Sequence, residues 1–113
     1  MTELMQIGPA DGIWVVRADG AVIAESRNAL ELLERGYDPV VYFPRDDVAM
    51  AFVEASPTQT HCPHKGDASY FHIVASNGQI TDAAWCYDSP VVQAERIGGH
   101  LAFDAAKVTV ERL

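Results

Sequence analysis

The sequence predicts a mainly β domain: a small antiparallel sheet, folded over or closed into a partly open barrel, with one short helix near residues 28–35. Three observations carry this expectation. Apolar segments recur roughly every ten to twelve residues, with turn-forming residues between them. Asp19-Gly20 and Asn77-Gly78 each separate two apolar runs. Such dipeptides readily take the positive-φ conformations of tight hairpins. Finally, Val108 and Val110 alternate with Thr109 and Glu111 in a last strand.

The elements follow in order. Ile13–Arg17 and Ala21–Ala24 flank Ala18-Asp19-Gly20 and read as a hairpin. Asn28–Arg35 reads as the helix. Asn28 can cap it, Glu31 stands three positions on in the capping-box spacing, and Leu30 and Leu33 share a face with Leu32 alongside. Gly36 supplies the stop. Val40–Phe43 is a β-branched and aromatic strand ended by Pro44. Asp46–Val53 fits either a short helical turn or an irregular edge. Ala68–Ala75 and Gln79–Tyr87 flank Ser76-Asn77-Gly78 and form the second hairpin. Val91–Ile97 reads as a further strand, Gly98-Gly99 breaks the chain, and His100–Phe103 and Val108–Glu111 complete the set.

Composition sets the wider frame. The 113 residues make one domain, 1–113, with no repeat, low-complexity tract or linker. Sixteen acidic against eight basic residues leave a formal charge of −8. That balance speaks against binding nucleic acid, whose phosphates need a basic face, and against anionic membrane surfaces. It fits a soluble cytoplasmic protein. Met1 to Gly12 carries Glu3 and Asp11 and no basic residue, unlike a signal or transit peptide. Without an export signal, Cys62 and Cys86 read as thiols.

The chemistry concentrates in Cys62-Pro63-His64-Lys65-Gly66 and Ala84-Trp85-Cys86-Tyr87. Cys62 is the candidate catalytic group, since a cation such as Lys65 favours a thiolate nucleophile. The commoner outcome for such a residue is a small buried hydrophobe, and no distant base or orienting partner is identifiable. Lys65 can hold a carboxylate or phosphate as a point charge, and Gly66 permits close approach of a ligand. The spacing is not that of a Walker loop. Tyr42 and Arg45 lie in Tyr42-Phe43-Pro44-Arg45-Asp46-Asp47, where Arg45 can clamp an anion or pair with a neighbouring carboxylate. Tyr70, His72 and Val74 share one strand parity, as do Ala83, Trp85 and Tyr87. His61, Cys62, His64, His72, Cys86 and His100 invite a metal reading, but paired Cys-x-x-Cys knuckles are missing and no metal or cofactor is expected.

Taken together, Ala24-Glu25-Ser26, Tyr42 to Val48, Cys62 to Gly66, and Ala84 to Tyr87 with Pro90 resemble a bacterial family, domain of unknown function 427. The resemblance spans Trp14 to Phe103. It implies a small mainly β domain similar to the tent-like folded sheets of the Mss4-like group. Zinc, bound in several proteins of that group through Cys-x-x-Cys pairs, is not carried over to this sequence. Members are sometimes labelled nucleotidyltransferases; no spaced Asp-x-Asp with a preceding Gly-Ser element supports that here.

The leading functional expectation is a site for a small anionic or planar ligand built from Tyr42, Arg45, Cys62, Lys65, Tyr70 and Trp85. Lys65 and Arg45 would hold the anionic group and the aromatics the planar part. The alternatives are a thiol-dependent enzyme using Cys62, and a structural or interaction module, such as a homodimer, without a ligand.

Overall fold

In the computed structural model, which describes residues 4–113, ten strands form two antiparallel sheets. The Met1–Glu3 part of the N-terminal reading lies outside the described residues. The strands are β1 (Met5–Pro9), β2 (Trp14–Ala18), β3 (Ala21–Ser26), β4 (Leu30–Glu34) and β5 (Val40–Phe43). They continue with β6 (Val53–Cys62), β7 (Gly66–Ala75), β8 (Gly78–Cys86), β9 (Leu101–Phe103) and β10 (Thr109–Arg112). Seven form one sheet in the order β1-β4-β5-β9-β8-β7-β6, and three form another in the order β10-β2-β3. Neither sheet closes into a barrel. No helix among the described residues is long and apolar enough to cross a membrane.

Both expected hairpins are present. β2 and β3 turn at Asp19 (φ 50°) and Gly20 (φ 80°), and β7 and β8 turn at Gly78 (φ 106°). The expected helix at 28–35 is not: Leu30–Glu34 is a strand between β1 and β5. The run Leu-Glu-Leu-Leu-Glu satisfies both periods, and tertiary pairing decides between them. As a strand it buries Leu32 and turns Glu34 to the same face, while Leu33 stays exposed. The supposed helix cap has another role. Ser26 Oγ accepts from the Asn28 amide and donates to Asp47, which fixes the corner between β3 and β4.

Val91–Ile97, expected as a strand, contains a 3-10 helix at Val92–Ile97 that buries Ala94 and Ile97. Two further 3-10 turns, Arg45–Asp47 and Met50–Phe52, occupy the ambiguous Asp46–Val53 stretch. β6 carries no apolar alternation. It forms a sheet edge, where Pro57 sits within a register irregularity between Ala55 and Gln59. An edge tolerates proline because one side of the strand donates to nothing.

The seven-stranded sheet has two differently covered faces. One packs Phe43, Ile73, Ala84, Cys86, Leu101 and Phe103 against Val16, Ala18, Ile23 and Ala24 of the small sheet. There, the Phe43 and Phe103 rings meet edge to face, centroids 5.6 Å apart. The opposite face carries a second cluster with Leu32, Tyr42, Tyr87 and Ala102, covered in part by Ala94 and Ile97. The cover is incomplete, and a cleft remains.

Candidate functional site

Register builds the cleft. Leu30 lies opposite Tyr42, Tyr42 opposite Ala102, Ala102 opposite Trp85, and Trp85 opposite Tyr70. Directly opposed residues point to the same side of a sheet, so one straight row crosses five strands. Tyr42 and Trp85 stand two strands apart, about 9.6 Å at ordinary strand spacing. The methyl of Ala102 between them leaves room for Trp85 Nε1 to donate to Tyr42 Oη at 3.3 Å. On the other side, the Tyr70 and Trp85 rings lie 6.4 Å apart at 37°. Tyr70 Oη is in turn held by Thr60 Oγ1 at 3.1 Å.

The Cys62 to Gly66 run is the turn joining β6 to β7, because Cys62 pairs with Gly66. The Lys65 amide donates to Cys62 O at 3.1 Å, and Lys65 O accepts from the Val91 amide at 3.0 Å. Gly66 has φ 116°, and a Cβ there would lie 3.4 Å from Pro90 Cα. Glycine therefore meets both a positive-φ requirement and a close backbone approach. Pinned in this way, the turn aims Lys65 across the cleft at β4, where Nζ donates to Glu34 Oε1 at 2.7 Å. The two side chains are only 12% and 9% exposed.

The cleft so formed holds about 520 Å³. Tyr42, Cys62, Lys65, Tyr70 and Trp85 line it, together with Tyr87. Burial raises the Tyr42 phenol above its ordinary range, with the Trp85 hydrogen bond opposing. Burial likewise raises Tyr87, opposed by the Lys65 charge. For Lys65 itself burial acts downward, but the Glu34 hydrogen bond and the neighbouring Tyr87 and Cys62 outweigh it, so its pKa is raised. Tyr42 and Tyr87 are thus kept neutral and Lys65 charged.

Arg45, the sixth expected member, is not brought to the cleft. Cys86 has the opposite strand parity to Trp85, and Arg45 lies 3.9 Å from its Sγ, beside Asp88. The chain turns away from Tyr42 at Phe43-Pro44 and carries the guanidinium to the other side of the sheet. In its place the structure supplies Glu34. Its signal was the alternation Leu30, Leu32, Glu34, legible only once that run is read as a strand. Tyr37 and Asp38 also line the mouth.

A profile for a family described as a domain of unknown function, DUF427, matches residues 6–113. The chain belongs to this family. No curated protein matches it. In this DUF427 domain both cysteines are free. Burial, then the Asp88 carboxylate, pushes the Cys86 thiol up to about 11. His72 and Asp82 form a separate polar corner. Asp82 accepts from Ser56 Oγ at 2.5 Å and from Thr58 Oγ1 at 2.8 Å, while its amide donates to His72 Nδ1 at 3.1 Å. The two hydroxyl contacts fasten the irregular part of β6 to β8, and the His72 contact ties β8 to β7. Among the described residues of the DUF427 chain, no three His, Cys, Asp or Glu side chains converge as metal ligands. A larger cleft of about 810 Å³ lies on the far side of Pro63-His64, against Leu4 to Ile7. It gathers none of the buried charged groups.

Proposed function

We propose that this DUF427 domain binds a small organic molecule with a planar body in the cleft between the Cys62–Gly66 turn and the Tyr42–Trp85–Tyr70 row. The observation that carries the reading is the registered row itself. Hydrogen bonds at both ends fix three aromatic side chains on one sheet face, and a buried Lys65–Glu34 pair spans the opening. Binding clefts characteristically combine such apolar and aromatic walls with a few oriented polar groups.

The geometry favours the planar part of the sequence expectation over the anionic part. Arg45 lies on the other side of the sheet, and Glu34 already neutralises Lys65. The same engagement favours binding over thiol catalysis by Cys62, because the nearest cation in sequence is committed to a carboxylate. A screen of small planar compounds by ligand-detected NMR tests the reading. Hits should bind wild type and Arg45→Ala alike and be lost in Trp85→Leu. Hits that survive Trp85→Leu, or a screen with none, would defeat it.

A further inference from the structure

Resting on that binding reading, we infer that the cleft selects an organic cation: a protonated amine, amidinium or quaternary ammonium attached to a planar or apolar body. The lining charges supply the reason. Four acidic residues line it, Glu34, Asp38, Asp104 and, shared with the His72 corner, Asp82, against one ammonium, Lys65. The Lys65–Glu34 pair cancels internally. Lys107, the cation nearest the far end, lies 4.0 Å from Asp104 and donates to Thr81 O. It offsets one of the three remaining charges, which leaves the cleft negative within a chain of net charge −8. Low-dielectric walls concentrate such a field, so an anion is repelled at entry and a cation attracted.

The aromatic side chains point the same way. The faces of Trp85 and Tyr70 carry the negative part of a ring quadrupole, and cations within about 6 Å of such rings are attracted. Their polar tips are already taken: Trp85 Nε1 by Tyr42 and Tyr70 Oη by Thr60. What they offer a ligand is ring surface rather than hydrogen bonds. Tyr37, 73% exposed, adds a further ring beside Asp38 at the mouth. The Lys65 ammonium, held at 2.7 Å by Glu34, is the chain's own example of a cation in this lining.

Three near-isosteric probes separate charge from shape: benzamidinium, neutral benzamide and anionic benzoate. Each is titrated into the full chain at low salt while the Trp85 indole N–H is followed by NMR. Benzamidinium should bind about tenfold more tightly than benzamide, the ratio that about 1.4 kcal/mol gives, with benzoate weakest. The preference should shrink with added salt and in Asp38→Asn, an exposed position whose substitution leaves the fold intact. If benzamide or benzoate shifts the same signal at equal or lower concentration, the cleft binds planar ligands and the cation inference is wrong. If none of the three moves the Trp85 signal, the binding reading falls with it.

Discussion

Removing the Lys65 ammonium should be among the most damaging changes this domain can suffer at a single exposed-looking turn. At 2.7 Å the Lys65–Glu34 attraction is about 6 kcal/mol at an effective dielectric of about 20. Desolvating each ion costs several kcal/mol, so the intact pair adds little net stability. Lys65→Met deletes the attraction and leaves the desolvated Glu34 carboxylate behind. Breaking a buried pair in this way costs about 3–5 kcal/mol. With 12% and 9% residual exposure beside an open cleft, the lower end, about 3 kcal/mol, applies. At about 2.1 cal/mol/K per residue, the unfolding entropy of a 113-residue chain turns that into a fall in Tm of about 12 °C.

The double variant Glu34→Leu/Lys65→Met removes both charges and should return to within about 1 kcal/mol of wild type. Urea unfolding of wild type, Lys65→Met, Glu34→Leu and the double variant at pH 7 gives the cycle. A cost below about 1 kcal/mol for Lys65→Met would mean a solvent-screened pair and would refute the reasoning. Alkaline titration adds a signed check. The Lys65 pKa is raised in the folded state, so its contribution is complete below the unfolded value of about 10.4 and is lost as pH rises through the folded value. Wild type should therefore lose stability above that pH more steeply than the double variant.

Three further outcomes follow from the same geometry. Iodoacetamide at pH 8 should label Cys62 in the folded protein and spare Cys86, which is fully buried and, with a pKa of about 11, about one part in a thousand thiolate; equal labelling read by peptide mass spectrometry would contradict this. Gly66→Ala should lower stability by about 2 kcal/mol through backbone strain, while Gly8→Ala, where a methyl meets open space, should be neutral by urea midpoint. Asp82 accepts two hydroxyl hydrogen bonds that lower its pKa, so its stabilisation is present above the ordinary carboxylate range and lost as pH falls through the folded value. Asp82→Asn should accordingly be less stable than wild type at pH 7, and the gap in fluorescence-monitored unfolding should close below about pH 4.

Sequence legibility divided along the range of the interactions involved. Asp19-Gly20 and Asn77-Gly78 specify their turns through the backbone freedom of the residues themselves, so the two hairpins could be read locally. Leu30–Glu34 could not. Its leucines satisfy a helical stripe as well as a buried strand, and the choice is made by β1 and β5, from segments on either side of it. β6 was invisible for a different reason: as a polar edge strand it has no buried face to write an alternation. The site inherited these differences. Trp85 and Tyr70 were recoverable because strand parity is a local rule, whereas Glu34 was hidden by the helical reading. Arg45 was misplaced because closeness to Tyr42 in sequence says nothing about the side of the sheet reached after Phe43-Pro44.

That division bears on which residues shape the cleft. In a β-sheet, side-chain neighbours on one face are two residues apart along a strand, or directly opposite across it. The motif Cys62 to Gly66 therefore contributes a single cross-cleft contact, through Lys65, while its Gly66 and backbone carbonyls hold the turn in place. The aromatic row beside the cleft runs perpendicular to the chain and draws one residue from each of β5, β9, β8 and β7. Its least conspicuous member, Ala102, leaves the room in which Trp85 reaches Tyr42. A larger side chain there would part the Trp85–Tyr42 hydrogen bond without altering the sequence of either motif. The shape of this face thus depends as much on an alanine on a three-residue strand as on the thiol, imidazole and ammonium that first draw the eye.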